Sequence, residues 1–215
     1  MNTSLSMSFV LAGAMLFFAL LMVGRMRLGS MLTAFRLQSI ALALYALSIA
    51  YSEGASELIV SALLILGIKV FLIPEYLMRA ARASQASFRM LSYLRPTVMS
   101  FAGVLVTIGA FAFTRLLKDI DGDYFTIAVS FSLVFLGLLL LISRRGLFGQ
   151  AIGFLLMENG IFAFGLALTN GMPVIIELGV LFDLLILLVL VSGFVKRAQE
   201  EHSTLSTDNL RQLTD

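Results

Sequence analysis

The chain reads SRRGLFGQAIGFLLMENG over residues 143–160, where two arginines precede a long apolar run that contains a glutamate. Glu158 follows Leu147 by eleven residues, which is about 16 Å along an α-helix. The hydrocarbon core of a bilayer is about 30 Å thick, so this spacing predicts a spanning helix with Glu158 near the midplane. Ionisable residues at that depth are costly, and they usually belong to ion pathways or to polar contacts between helices.

The composition is that of an integral membrane protein. Of the 215 residues, 60% are hydrophobic and only 13% are charged, and the mean hydropathy is +1.00. A soluble domain carries about 25% charged residues. The net charge of +2 does not indicate nucleic-acid binding, because the basic residues cluster beside apolar runs, where they set topology.

The chain has no cysteine and a single histidine, His202, in its polar C-terminal tail. It therefore has no disulfide framework, no cysteine-ligated cluster and no thiol nucleophile, and one histidine does not build a metal site unaided. The sequence also lacks a P-loop, a GxGxxG turn and a Ser-His-Asp set. We therefore expect no cofactor, no metal and no catalytic residue in this chain.

Windows of about 20 apolar residues predict an all-α polytopic fold with about seven transmembrane helices. The second window is the least regular, because Arg36 and Gln38 interrupt it. The predicted spans cover residues 5–24, 30–51, 57–78, 97–116, 125–142, 147–168 and 174–194.

The basic residues predict the orientation of these spans. Arginines and lysines follow the first, third, fifth and seventh spans, whereas the opposite loops hold Glu53, an acidic cluster at 119–123 and the neutral turn TNGMP. The positive-inside rule then places the N-terminus outside and the C-terminus in the cytoplasm. We expect a multi-pass protein of the cell inner (cytoplasmic) membrane.

The two ends of the chain also predict an internal repeat. A shift of 120 residues superposes the first three spans on the last three and brings Gln38 onto Glu158 and Glu57 onto Glu177. Four spans separate the starts of the two triplets, so both enter the membrane from the same side, as a parallel repeat.

This repeat divides the chain into four predicted parts, joined in the order of the sequence. They are a first three-helix repeat with its cytoplasmic loop, a linking helix with an outer loop, a second three-helix repeat and a cytoplasmic tail, over residues 1–96, 97–124, 125–195 and 196–215.

Two acids lie deep in predicted spans. Glu158 is either a protonatable relay near the midplane or a neutral, hydrogen-bonded acid that joins two helices. Asp183 lies nine residues into the last span without a neutral polar neighbour, so it must face the bundle, a partner subunit or water. For Asp183 too, the relay and the structural interpretation both remain open.

Lys69 lies mid-span in LGIKVFLIP, five residues before Pro74. Proline frees a backbone carbonyl about one turn earlier, and a buried lysine requires an acidic partner. We therefore expect a paired lysine that acts as a relay or counter-ion. The alternative is snorkelling towards the interface, although the middle of a span is deep for that.

For most of the remaining polar residues, a structural role is the main interpretation. Glu177 follows Pro173 at a helix start, where it is either on the ion path or a partner of the helix dipole, and Glu57 at the equivalent position is expected to cap a helix. We expect supporting polar contacts from Asn159 and from two residues of the second span, Arg36, which can snorkel or pair with an acid, and Gln38, which can hydrogen-bond across helices.

The segments RRGLFGQAIGFLLMENG, IIELGVLFDLLILLVLVSGFVKRA and LSTDNL resemble component E of hydrogenase-4-type complexes. This resemblance covers nearly the whole chain, including KVFLIPEYLMRAARA at 69–83. The last three spans also resemble NuoK, a related subunit of respiratory complex I. In NuoK a glutamate follows a GL pair, but the matching position here is Leu155 and the acid comes one turn later. The second NuoK glutamate falls near Asp183.

The resemblance implies a non-catalytic membrane subunit of an ion-translocating, membrane-bound hydrogenase or related complex. Its expected partners are antiporter-like membrane subunits, other small membrane subunits, a peripheral hydrogenase and iron–sulfur arm that holds the nickel–iron site, and membrane lipid. The chain's own acids, with Lys69, would couple electron transfer elsewhere to proton or sodium movement. The alternatives are an antiporter-type transporter subunit and a purely structural scaffold.

Overall fold

A computed structural model describes residues 3–54, 56–83, 90–117 and 123–169 of the chain. The described part is almost wholly helical. Its helices are α1 (Thr3–Gly24), α2 (Leu28–Glu53), α3 (Ser56–Leu64), α4 (Ile73–Ala83), α5 (Pro96–Leu116), α6 (Tyr124–Ser143) and α7 (Leu147–Thr169), with a π-helical segment, Ile65–Leu72, between α3 and α4.

Within these residues, six helical stretches are long and apolar enough to cross a membrane, and the third of them combines α3, the π-helical segment and α4. The stretches cover Met7–Gly24, Leu28–Ser52, Leu58–Arg82, Pro96–Leu116, Tyr124–Ser143 and Leu147–Leu168. The prediction of an all-α polytopic membrane protein is confirmed. The predicted seventh span, 174–194, lies outside the described residues.

Local sequence explains where several helices begin and end. Gly54 ends α2 with a left-handed φ of 69°, a backbone conformation that glycine adopts without strain. Pro96 stands in the first turn of α5, where its missing N–H costs nothing. Asp123 caps α6, since its Oδ2 accepts from the Thr126 backbone N–H at 3.1 Å.

The third span continues past Pro74 to Ala83, beyond the predicted end at residue 78. Proline removes one backbone donor and its ring crowds the carbonyl of the preceding turn. The chain widens into the π-helical segment directly before it, and the Ile73 backbone N–H donates to the Ile68 carbonyl, five residues earlier. The proline therefore changes the pitch of this helix without ending it.

The helices are buried to very different extents. Most of the α7 span is buried, whereas only a small part of the α5 span is. Helix α7 packs on α6 and α2, and α1 packs on α2, α5 and α6. Helix α7 is thus the inner helix of the described bundle, and α5 presents most of its surface outwards.

A small sheet joins two connections at one end of the bundle. Strands β1 (Leu91–Ser92) and β2 (Arg144–Arg145) pair in antiparallel fashion, with Leu91 opposite Arg145 and Ser92 opposite Arg144. The sequence did not predict this pairing, because two-residue strands leave no periodic pattern. The sheet fixes the segment that precedes α5 against the turn between α6 and α7.

The shift of 120 residues also relates buried positions of α2 and α7. Phe35 and Leu155 are both fully buried. Gln38 and Glu158 are also buried, with at most 3% of either residue exposed. Equivalent residues thus face the interior in both helices. The repeat with its four parts, 1–96, 97–124, 125–195 and 196–215, stays a prediction, because the third helix of its second half lies outside the described residues.

Candidate functional site

A buried ion pair joins the third span to α7. The Lys69 Nζ lies 2.8 Å from the Glu158 Oε1, and the two side chains are only 3% and 4% exposed. Each residue stands near the middle of its span, 58–82 and 147–168 respectively. The acidic partner that the sequence required for Lys69 is therefore Glu158, and the lysine is buried at that depth without snorkelling.

A chain of amide and hydroxyl groups extends this pair to α2. Lys69 Nζ also donates to the Asn159 Oδ1 at 3.0 Å, and Asn159 Nδ2 lies within 3.2 Å of both the Gln38 Oε1 and the Ser39 Oγ. Asn159, Gln38 and Ser39 are fully buried. Three helices thus share one hydrogen-bonded network in the middle of the bundle.

Two atoms of this network have no hydrogen-bond partner in the part of the chain that the structure describes. They are the Glu158 Oε2 and the Gln38 Nε2, one an acceptor and the other a donor. Buried polar atoms are nearly always hydrogen-bonded, so each is a place where the network continues or takes up a further group. The carboxylate of Glu158 therefore has one oxygen bound to Lys69 and a second without a hydrogen-bond partner among the described residues.

The backbone on either side of the ion pair differs. Lys69 belongs to the π-helical segment, a helix form that occurs frequently at functional sites. Glu158 belongs to a regular α-helix that packs on the α6 backbone through Gly153 and Gly160. A Cβ at Gly153 would lie 2.8 Å from the Leu141 N, and one at Gly160 would lie 2.7 Å from the Val134 N. The acid is thus held by close backbone packing on both sides.

The arrangement has a clear chemical capacity. Removing two charges from water costs several kcal/mol per ion, and good hydrogen-bond geometry must offset that cost. The lysine and the carboxylate lie at hydrogen-bond distance, so a proton can pass between them with little movement. The pair thus places one acidic and one basic group in contact inside the bilayer.

Arg36 lies outside this network, although it is close in sequence to Gln38. Its Nη2 lies 3.9 Å from the Glu75 Oε2, and the Arg79 Nε donates to the Glu75 Oε1 at 3.0 Å. The sequence predicted snorkelling or an acidic partner for Arg36, and the structure gives it Glu75 on α4. These side chains are 41% to 76% exposed, in contrast to the buried pair.

The sequence missed the role of Arg144, which it interpreted only as a topology signal. This residue is 1% exposed, and its Nη2 donates to the carbonyls of Val23 at 2.9 Å and Arg25 at 2.7 Å. It thereby satisfies the C-terminal end of α1, where a cation interacts well with the helix dipole. Burial lowers the pKa of the Arg144 guanidinium from its usual value.

The neighbouring arginine, Arg145, lies in a different environment, although nothing in the sequence distinguished it from Arg144. Arg145 stacks over the Tyr93 ring with its guanidinium 4.0 Å from the ring centroid. Two adjacent arginines after an apolar run give no signal that one is buried. In the structure, Gly149 leaves the space that Arg144 occupies, since a Cβ on Gly149 would lie 2.8 Å from the Arg144 Cβ.

The other predicted site residues are not brought to this network within the described residues. Glu57 lies in the first turn of α3, and its expected capping role stays a prediction. Asp183 and Glu177 lie outside the described residues. Across residues 3–54, 56–83, 90–117 and 123–169, no cluster of three or more histidine, cysteine, aspartate or glutamate side chains is placed to hold a metal ion.

The fold and the site together define a polytopic, all-α membrane protein with a buried lysine–glutamate pair between its spans. The chain is similar to an uncharacterized protein of Mycobacterium tuberculosis, with 29% identity over 220 residues that cover 100% of this chain and 98% of the relative. It is also similar to hydrogenase-4 component E of Escherichia coli K12, with 28% identity over 147 residues that cover 67% of this chain and 68% of the relative. No family model and no solved structure matches the chain.

Proposed function

We propose that this chain is a non-catalytic membrane subunit of an energy-converting, hydrogenase-type complex, and that the Lys69–Glu158 pair lies on its proton path. The observation that carries the proposal is the buried ion pair near the middle of two spans. The similarity to hydrogenase-4 component E supports the kind of complex. Other subunits would then hold the nickel–iron and iron–sulfur groups.

The geometry favours a relay over a simple fastening of helices. A structural contact between two spans needs only neutral polar groups, such as those of Asn159, Gln38 and Ser39 that join α7 to α2. The ion pair adds a titratable proton at the same place, at the cost of burying two charges. This added cost favours a role in which a proton is exchanged, because neutral groups would join the two spans without it.

The partners follow from the same proposal. The complex would include antiporter-like membrane subunits, other small membrane subunits and a peripheral arm. The exposed outer face of α5 offers apolar surface to lipid or to such a subunit, with Phe101, Leu105 and Ile108 among its exposed residues. Protons would reach Glu158 from a neighbouring channel subunit. We propose that the path continues through Asp183 and Glu177.

The test is Glu158→Gln, which keeps size and hydrogen-bonding capacity but removes the titratable proton. We expect the complex to assemble, while redox-driven ion translocation in vesicles falls by about 100-fold, the scale of a lost proton-transfer group. Hydrogenase activity with an artificial electron acceptor should persist, because its metal site is in another subunit. Glu75→Gln is the matched control, since Glu75 is a half-exposed acid outside the network.

Two results would contradict the proposal. If the Glu158→Gln complex pumps at the wild-type rate, Glu158 only fastens helices and the scaffold interpretation holds. If the chain expressed alone is stable and exchanges cations for protons in vesicles, it is a transporter subunit. We expect instead that the solitary chain is poorly stable in detergent and co-purifies in fixed ratio with channel-like and hydrogenase subunits.

The proposed orientation places the N-terminus outside the cytoplasmic membrane. Tyr51, 95% exposed near the end of α2, would then face outwards, and Leu91, 66% exposed in β1, would face the cytoplasm. Single cysteines at these positions of a cysteine-free chain can be treated with a membrane-impermeant thiol reagent on intact cells. Labelling of Tyr51→Cys alone is expected, and labelling of Leu91→Cys alone would reverse the topology.

A further inference from the structure

A groove on the outer side of the third span lies between α2 and α4. It has a volume of about 600 Å³, and one end of it is polar, with Arg36, Glu75 and Arg79. The rest of its length is apolar and is lined by residues that include Gly67 and Phe71. We call this feature the α2/α4 groove. It does not include any residue of the Lys69–Glu158 network.

The polar end of the α2/α4 groove carries an excess of positive charge. Two arginines share the single carboxylate of Glu75, at 3.0 Å from the Arg79 Nε and 3.9 Å from the Arg36 Nη2. The longer distance exceeds a hydrogen bond, so the carboxylate does not satisfy the Arg36 donors. The three side chains have a net charge of one positive unit, which one phosphodiester would balance.

The length of the α2/α4 groove matches one leaflet of a bilayer. Gly67 and Arg79 are twelve residues apart, which is about 18 Å along a helix, and half of the hydrocarbon core is about 15 Å. Gly67 leaves open space, because a Cβ built on it meets no atom within 4 Å. Phe71 and Leu72 are 68% and 53% exposed.

We propose that the α2/α4 groove binds an anionic phospholipid, with its phosphate at Arg36 and Arg79 and one acyl chain along Phe71 and Leu72 towards Gly67. Basic pockets between spanning helices on the cytoplasmic side suit anionic headgroups. A zwitterionic headgroup brings its own cation to the arginines and gains less. A polar end followed by one leaflet's length of apolar wall fits a lipid better than a protein segment.

This lipid would cover the outer face of the π-helical segment that carries Lys69. The Lys69 side chain is buried on the inner side of the same segment. An acyl chain in the α2/α4 groove would keep water away from that segment and support its irregular backbone. The inference rests on the groove and on the proposed orientation of the chain, and it holds or fails independently of the proposed proton path.

The test uses the full chain, with any partners that co-purify, in mild detergent with added lipids of identical acyl chains. Native mass spectrometry then measures retention of phosphatidylglycerol against phosphatidylcholine. We expect the wild type to prefer phosphatidylglycerol and Arg36→Gln/Arg79→Gln to lose about 30-fold in its retention, the combined effect of two basic contacts at headgroup level. Arg115→Gln is the control, an exposed arginine at the end of another helix.

A second variant separates binding from misfolding. Gly67→Phe places a ring in open space, so the fold should survive while retention of both lipids falls. A photo-crosslinker at Leu72 should yield a lipid adduct. Equal retention of the two lipids by the wild type, unchanged retention in the double variant, or a polypeptide adduct at Leu72 would each overturn the proposal.

Discussion

The hairpin of α6 and α7 and the hairpin of α1 and α2 pack their helices in different ways. In the first, backbones touch, since a Cβ at Gly137 would lie 2.6 Å from the Met157 N and 2.7 Å from the Gly153 carbonyl oxygen. In the second, large side chains such as Met15 and Phe35 are fully buried, and a Cβ at Gly13 would meet no atom within 4 Å. One hairpin is close-packed through glycine and the other through bulky residues.

The difference shows that the two charged residues of the ion pair lie on backbones of different regularity. Small residues allow spanning helices to approach closely, and this approach sets the position of Glu158 on α7. Lys69 belongs to the other half of the chain and to a π-helical segment with irregular hydrogen bonding. The acid therefore lies on a closely packed regular helix, and the lysine lies on a segment with irregular hydrogen bonding.

The largest expected effect tests the pair that joins the two halves. Lys69→Met leaves Glu158 as a buried acid without its ion-pair partner, and breaking a buried pair in this way costs about 3–5 kcal/mol of the free energy of unfolding. The thermal midpoint of the purified protein in one detergent measures the loss. Lys69→Met/Glu158→Leu should recover much of it, because no buried charge is left.

Arg115→Met is the control for removing a cation, since Arg115 is exposed. If the double variant is as unstable as the single variant, the coupling between the two residues is absent. The Lys69–Glu158 pair would then not join the closely packed α7 to the irregular third span.

A smaller effect is expected from breaking the close packing itself. Gly153→Val forces α6 and α7 apart, because its Cβ would lie 2.8 Å from the Leu141 N and 2.9 Å from the Gly137 carbonyl oxygen. Overpacking of this kind costs about 1–3 kcal/mol. Gly13→Val is the matched control in the looser hairpin. The same thermal midpoint should fall for Gly153→Val only, and equal shifts would remove the distinction between the hairpins.

The smallest expected difference is the one between two adjacent arginines that follow α6. Arg144→Met leaves the carbonyls of Val23 and Arg25 without this donor, at a cost of about 1–3 kcal/mol. Arg145→Met removes only an exposed contact with the Tyr93 ring, worth about 0.5–1 kcal/mol. Denaturation of both variants should rank them in that order. The reverse order would show that Arg144 does not join the two hairpins.

The sequence predicted the six described spans to within a few residues, because apolar length is a strong signal in a chain with so few charges. The largest difference is the end of the third span, which was predicted at residue 78 and lies at Ala83. The π-helical segment absorbs the proline, and no periodicity in the sequence announces that change of pitch.

The sequence predicted part of the network because polar residues are rare in these spans. It required an acidic partner for Lys69 and a contact across helices for Gln38, but several acids satisfied the first requirement. Ser39 gave no signal, since a serine beside apolar residues is common in spanning helices. Which acid pairs with Lys69 depends on the orientation of three helices about their own axes. Packing at positions such as Gly153 sets that orientation.

The buried pair also has an electrical consequence. While Lys69 and Glu158 are both charged, the site is neutral and the membrane potential does no net work on it. A proton on Glu158 leaves one positive charge near the midplane. At 100 mV, a full crossing of one charge is worth about 2.3 kcal/mol, so half the depth is worth about 1 kcal/mol. Occupancy of this site by an additional proton should therefore depend on voltage.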